Sequence, residues 1–249
     1  MKELYTSIPV GLCQYCICNR KINHLKVYLY FKFTSSGHVK YINSHLENTK
    51  EIAEHLQLNE KTVKNCLTWL IQNEWITTYS NIKSLRVISY RKLCDIYDIK
   101  TTCAVIYENE TFEDLRNFCC AVLIIYYRNY KRWCDRKSVP KKGGARLRTN
   151  KKSKGYYPLP CLYLAKCLNV SKKTAHKYKR AAMEYGHIEV RKNLKILTIN
   201  GMPLTNEHKG SLKFITGISL GRVRTGNKFL KYVDADLIKS NLYMKKKRY

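Results

Sequence analysis

Acidic residues are scarce in this chain: 18 Asp and Glu stand against 47 Lys and Arg in 249 residues. The resulting formal charge of +29 repels itself unless an anionic partner neutralises it, and nucleic acid is the first candidate. Long apolar runs are lacking as well. "FCCAVLIIYY", Phe118 to Tyr127, is flanked by charge and falls well short of the ~18 residues a membrane span needs. The opening "MKELYTSIPVGLC" has one basic residue and no apolar stretch of signal-peptide length. These features predict no membrane association, no secretion signal and a cytoplasmic, nucleoid-associated setting.

Signatures of catalysis are also absent. None of the seven histidines is paired one residue apart, as relaxase-like metal chemistry requires. His176 is followed by Lys177, Tyr178 and Lys179 before Arg180, so the His-x-x-Arg of a tyrosine recombinase is not met. "GGARLRTNKKS" lacks the Gly-Lys-Ser/Thr ending of a phosphate-binding loop. Asp234 and Asp236 are the only close acidic couple in the basic half, too little for two-metal nuclease work. We therefore expect a binding protein, with no catalytic residue, no cofactor and no metal.

The eleven cysteines are odd in number and include the adjacent Cys119 and Cys120, a pattern of buried free thiols in a reducing compartment. Cys13, Cys16 and Cys18 form a C-x2-C-x-C cluster with His24 nearest, but no second CxxC or close His pair completes a tetrahedron.

At 29.3 kDa and 45% hydrophobic, the chain can bury one or two cores. Its charge is divided unevenly: residues 1–124 carry +3 and residues 125–249 carry +26. "RKSVPKKGGARLRTNKKSKG", residues 136–155, has nine cations and no acid and reads as a solvated basic loop suited to phosphate contact.

An internal repeat organises the rest. A shift of 112 residues lays "EIAEHLQLNEKTVKNCLTWLIQNEWI" (Glu51 to Ile76) on "YLAKCLNVSKKTAHKYKRAAMEYGHI" (Tyr163 to Ile188) without a gap. Ala53 meets Ala165, Leu56 meets Leu168, Lys61 meets Lys173, Thr62 meets Thr174 and Ile76 meets Ile188. In each copy a short helix ends near Leu56 or Leu168, a turn follows, and Asn59 or Ser171 caps the next helix. Small Ala53 and Ala165 let the two helices cross closely. Val63, Cys66, Leu67 and Leu70 form one apolar stripe on the first copy's second helix.

The second copy departs in placing Lys179 where the first has Leu67, which predicts a slightly rotated helix with more packing carried by Tyr178. Alternating segments follow each copy. "WITTYSNIKSLRVISY" (Trp75 to Tyr90) and "HIEVRKNLKILTI" (His187 to Ile199) both read as two-stranded hairpins, the second turning at Lys192-Asn193. Arg20–Phe33 and Phe112–Trp133 read as the preceding helices, and Asn227–Tyr243 as a final helix.

Helix, turn, helix and hairpin, occurring twice, resemble tandem winged helices and are similar to theta-type plasmid replication initiators. The fold class expected is mainly α with small β-hairpins (α+β), two winged-helix domains joined by a long helix and a basic loop. The domains are an N-terminal winged helix over 1–108, a basic C-terminal one over 109–200 with the 136–155 loop, and a basic extension over 201–249.

In a helix-turn-helix the second helix enters the major groove of duplex DNA. That register faces Lys172, Lys173, His176, Lys177 and Arg180 outward in the second copy, with Thr174 a further DNA-contact candidate, and sets Glu60, Lys61, Lys64, Asn65 and Thr68 at the equivalent positions of the first. Lysine can bond guanine O6 or N7 and asparagine can read adenine. Wing cations Lys83, Arg86, Arg191, Lys192 and Lys195, and loop cations Lys141, Lys142, Arg146, Arg148, Lys151 and Lys152, suit the backbone.

The resemblance further implies a homodimer through the N-terminal domain and dealings with replication machinery. A transcriptional regulator of a phage or mobile element, meeting transcription machinery instead, has much the same pattern. A coating or packaging protein that binds nucleic acid without reading it, RNA included, fits the charge alone.

Overall fold

The computed structural model describes residues 5–35, 38–40, 49–79, 84–99, 103–137, 155–196, 198–199, 202–203, 222–225, 228–232 and 235–245. Within them the chain is mostly helical with small antiparallel sheets. In order it forms β1 (Tyr5–Pro9), α1 (Val10–Cys18), α2 (Ile22–Thr34), β2 (His38–Lys40), α3 (Thr49–Leu56), α4 (Glu60–Gln72), β3 (Ile76–Tyr79), β4 (Ser84–Val87) and α5 (Tyr90–Ile96). There follow β5 (Cys103–Tyr107), α6 (Glu108–Lys137), β6 (Tyr157–Leu159), α7 (Cys161–Leu168), α8 (Lys172–Glu184), β7 (Ile188–Arg191) and β8 (Leu194–Ile196). The last strands are β9 (Thr198–Ile199), β10 (Met202–Pro203), β11 (Arg222–Thr225), β12 (Lys228–Tyr232), β13 (Asp236–Ser240) and β14 (Met244–Lys245). None of the described helices is long and apolar enough to cross a membrane.

Two compact units emerge. One comprises residues 1–126, 177–188 and 241–249, the other 127–176 and 189–240. In the first, α2, α3 and α4 pack on one another beside an antiparallel sheet of order β2-β4-β3. Trp75 is fully buried there, its indole N–H donating to the Tyr97 hydroxyl at 2.9 Å, with Tyr28 and Trp69 meeting its ring edge-on. Lys26 donates to the Leu56 carbonyl at 2.7 Å, which satisfies a free acceptor at the C-terminus of α3 and sets a cation against the negative end of that helix. A second sheet, β1-β5-β14, brings the beginning and the end of the described chain together.

The 112-residue repeat reaches down to single backbone bonds. Gln57 and Asn169 both adopt the left-handed conformation, at φ 52° and 51°, just past α3 and α7. The next amides turn back alike: Leu58 N–H donates to the Ala53 carbonyl (2.9 Å), Val170 N–H to that of Ala165 (3.0 Å). Beyond α4 and α8 the left-handed residues are Glu74 (φ 60°) and Gly186 (φ 71°), followed by Trp75 N–H to Leu70 (2.8 Å) and His187 N–H to Ala182 (3.0 Å). Asn59 and Ser171 cap the second helices as expected, accepting from Lys61 N–H (2.8 Å) and Thr174 N–H (3.1 Å). The stripe Val63, Cys66, Leu67 and Leu70 is buried.

Three expectations need correction. The helix α8 keeps the register of α4: Ala175, Lys179 and Ala182 are buried as Val63, Leu67 and Leu70 are, and Tyr178 is only half-buried. A lysine stem is apolar enough for that position, so no rotation is required. The second hairpin does not form either, because β7 lies beside β13 in a sheet of order β6-β13-β7 whereas β8 pairs with β12. The strand that completes the second copy's sheet therefore comes from beyond residues 192–235, where Ile238 supplies a fully buried side chain. Asn227–Tyr243 accordingly holds strands β12 and β13 rather than a helix.

Burial makes one histidine pH-sensitive. His24 on α2 packs edge-on against Trp69 at 4.7 Å with Nδ1 unpartnered, and burial together with the nearby charge of Lys21 pushes its pKa down to about 4. The unfolded chain takes up this proton near pH 6.5, which the fold resists. Stability is therefore expected to fall as pH drops from 6.5 toward 4. The ring is partly solvated, so the loss is about 1–2 kcal/mol rather than the full shift. In urea titrations at pH 7 and pH 4.5, His24→Phe should lose less stability than the parent; equal losses would remove His24 as the cause.

Candidate nucleic-acid interface

The helix α8 is amphipathic in an unusual way. Ala175, Lys179 and Ala182 turn inward, and Lys173, His176, Lys177 and Arg180, at i, i+3, i+4 and i+7, occupy an exposed face. Lys172 is exposed beside them. Its first turn contains no acid, although carboxylates are favoured at a helix N-terminus and cations are not. Arg180 pairs with Glu184 (2.7 Å) near the far end, but no described carboxylate pairs with Lys173 or Lys177. His176 stands with Nδ1 3.6 Å from the Cys161 thiol of α7. Thr174 is half-buried and engaged in the cap, its hydroxyl 2.9 Å from that of Ser171, so it belongs to the helix start more than to the outward face.

The matching face of α4 is electrostatically different. Lys61, Lys64, Asn65 and Thr68 are exposed, but Glu60 opens the helix where α8 has Lys172. Glu60 pairs with Lys64 at 2.7 Å and accepts from the Thr49 hydroxyl at 3.0 Å, contacts that hold its carboxyl below the usual range. Thr68 turns its hydroxyl back to the Lys64 carbonyl at 3.0 Å. One cation of this face is thus neutralised locally and its opening turn is capped by an acid.

Acids of the basic unit are likewise used close to home. Glu189 pairs with Lys239 at 2.6 Å and accepts from the Tyr156 hydroxyl, and Asp135 takes Lys131 (2.7 Å) and Tyr157. Arg191, a predicted wing cation, is exposed and lies over the Tyr156 ring at 4.3 Å. Arg128 is buried and donates to the Gly155 carbonyl and to Asn129 (3.0 Å). Sequence reading missed this Tyr156, Glu189, Arg191 and Lys239 cluster. The signal was present in "IEVR", where period-two spacing sets Glu189 and Arg191 on one face.

Lys192 is exposed, Arg86 is exposed on β4, and Lys195 belongs to β8. Lys83 and the loop cations Lys141, Lys142, Arg146, Arg148, Lys151 and Lys152 lie outside the described residues. Cys13, Cys16, Cys66, Cys119, Cys120 and Cys161 are buried free thiols, and burial pushes Cys120 up to about 12. Among the described residues no group of three or more His, Cys, Asp or Glu stands close enough to hold a metal ion. No known protein family, no curated protein and no solved structure matches this chain.

Proposed function

We propose that the protein reads duplex DNA through two winged-helix units and serves as a replication initiator of a plasmid or other mobile element. The observation that carries the reading is the outward face of α8, where Lys173, His176 and Lys177 gather on a helix whose first turn lacks any acid. Clustered cations at a helix N-terminus raise the energy of the free protein and are relieved only by an anion. Strand order supports the same reading. In winged helices the first strand lies beside the last, and the strand orders β2-β4-β3 and β6-β13-β7, with β2 beside β4 and β6 beside β13, are compatible with that pattern.

Base-edge contacts then fall to Lys173, His176 and Lys177, and phosphate contacts to the surrounding cations. The +3 and +26 halves suit an initiator whose C-terminal unit makes the main origin contact. The test is selection from a random duplex pool at about 150 mM salt, where exposed charges are screened beyond ~8 Å. Enrichment of one motif in direct repeats, with permanganate-reactive thymines in adjacent DNA on binding, is the expected result. A motif without strand opening would move the protein to transcriptional regulation. Retention without any motif would leave a coating protein.

A further inference from the structure

The last third of α6, residues 127–137, belongs to the same compact unit as the first turn of α8. Its two largest exposed rings stand open to solvent: Tyr130 is 47% and Trp133 51% exposed. The other two tryptophans behave as the hydrophobic effect requires, Trp75 fully buried and Trp69 half-buried against it. Tyr130 and Trp133 sit one helical turn apart and stack, their centroids 5.9 Å apart and their planes 27° from parallel. Lys137, exposed a turn further on, holds its ammonium 3.9 Å from the Trp133 ring centroid.

Charge around these rings is of one sign. Residues 127–137 contain five Lys and Arg and a single acid, Asp135. That acid is engaged locally, pairing with Lys131 at 2.7 Å and accepting from the Tyr157 hydroxyl. An apolar protein partner would cover the rings and leave the cations without counter-charge. An unpaired nucleic-acid strand supplies a π face for each ring and a phosphate for each cation. Duplex keeps its base faces inside its own stack, so an opened strand is the occupant that meets both requirements.

We propose that Tyr130 and Trp133 form a stacking platform for the unpaired bases of single-stranded DNA, with Lys137 taking the adjacent phosphate. The inference rests on the DNA-binding reading above and extends it: α8 reads duplex, and the platform captures a strand once that duplex opens. A base takes the Trp133 face that Lys137 covers, and the ammonium turns to the phosphate. Capture of this kind favours open DNA without choosing a sequence, because every base has a π face.

The experiment uses the full chain carrying Tyr130→Ala and Trp133→Ala, both at exposed positions. Parent and variant are titrated at fixed salt with a mixed-sequence DNA strand, an RNA strand of the same sequence and the selected duplex. The variant should bind the DNA strand about tenfold or more weakly, stacking being the interaction removed, and bind the closed duplex as the parent does. Permanganate reactivity of thymines beside the site should fall in parallel. Tyr130→Phe with Trp133→Phe keeps both π faces and should hold the strand within a few-fold of the parent, which separates stacking from folding. The strand should quench the parent's tryptophan emission and leave that of the phenylalanine pair unchanged, because Trp69 and Trp75 belong to the other unit. Unchanged strand affinity in the alanine variant, an equal loss on the duplex, or a tighter hold on RNA than on DNA would overturn the proposal. Loss of a parent dimer in that variant, with strand binding intact, would hand the rings to a second copy of the chain and overturn it as well. A parent that selects a duplex motif yet ignores single strands would end the platform and leave the reading of α8 standing, whereas one that binds strands here but no duplex would end the duplex reading alone.

Discussion

If the proposed DNA reading holds, Lys173→Ala combined with Lys177→Ala should lower affinity for the selected DNA site by about 100-fold or more, since each good base contact contributes about 1–3 kcal/mol. The matching pair on α4, Lys61→Ala with Lys64→Ala, lowers it less than about tenfold. The asymmetry follows from Glu60. Its carboxylate already holds Lys64 at 2.7 Å, so that cation must abandon a partner before it can serve DNA, whereas no described carboxylate competes for Lys173 or Lys177. Glu60→Gln should accordingly strengthen binding a few-fold if α4 also meets DNA. Binding isotherms at fixed salt decide the matter, and equal losses from the two lysine pairs would sink the division of labour between the copies.

The second large effect is on folding. Ile238 is fully buried on β13, the strand that lies between β6 and β7. Ile238→Ala should destabilise the protein by about 2–5 kcal/mol, the range for removing a buried branched side chain, out of a total near 5–15 kcal/mol. Ile238→Asp should prevent the second unit from forming a cooperative structure, because an unpaired carboxylate would replace the packed side chain. Urea unfolding followed by circular dichroism reads both. A change within about 0.5 kcal/mol for Ile238→Ala would mean that β13 does not complete that sheet.

Legibility in the sequence followed the range of the forces involved. The helices of the repeat, their caps at Asn59 and Ser171, and the stripe from Val63 to Leu70 depend on residues within four positions of one another, and each is where the sequence puts it. So is the first hairpin, with Ile76 opposite Val87. The second hairpin did not form: β7 took the distant β13, where Ile238 is fully buried, while the nearer β8 paired with β12. Nothing local announces that choice. Lys179 misled in another way: its charge outweighed its four-carbon stem in a reading by residue type, yet the stem fills the buried site. The β1-β5-β14 sheet, which joins strands about a hundred residues or more apart, left no trace in the sequence pattern. Of the candidate interface, exposure on α8 and α4 was readable from helical periodicity, but the Tyr156, Glu189, Arg191 and Lys239 cluster needed the tertiary pairing of β7 with β13.

The late arrival of β13 and β14 bears on synthesis at the ribosome. A chain grows at roughly 5–20 residues per second. On that schedule α8 is made seconds before residues 236–240, which complete its sheet, and residues 244–245, which finish the sheet begun by β1. Closing so long a connection costs about 2 kcal/mol more than closing a tight turn, so β13 docks by slow, non-local search. A nascent or prematurely ended chain thus carries the cationic helix without the strands that complete its sheet, and fragments lacking residues 236–245 should be more exposed to proteolysis than the finished protein.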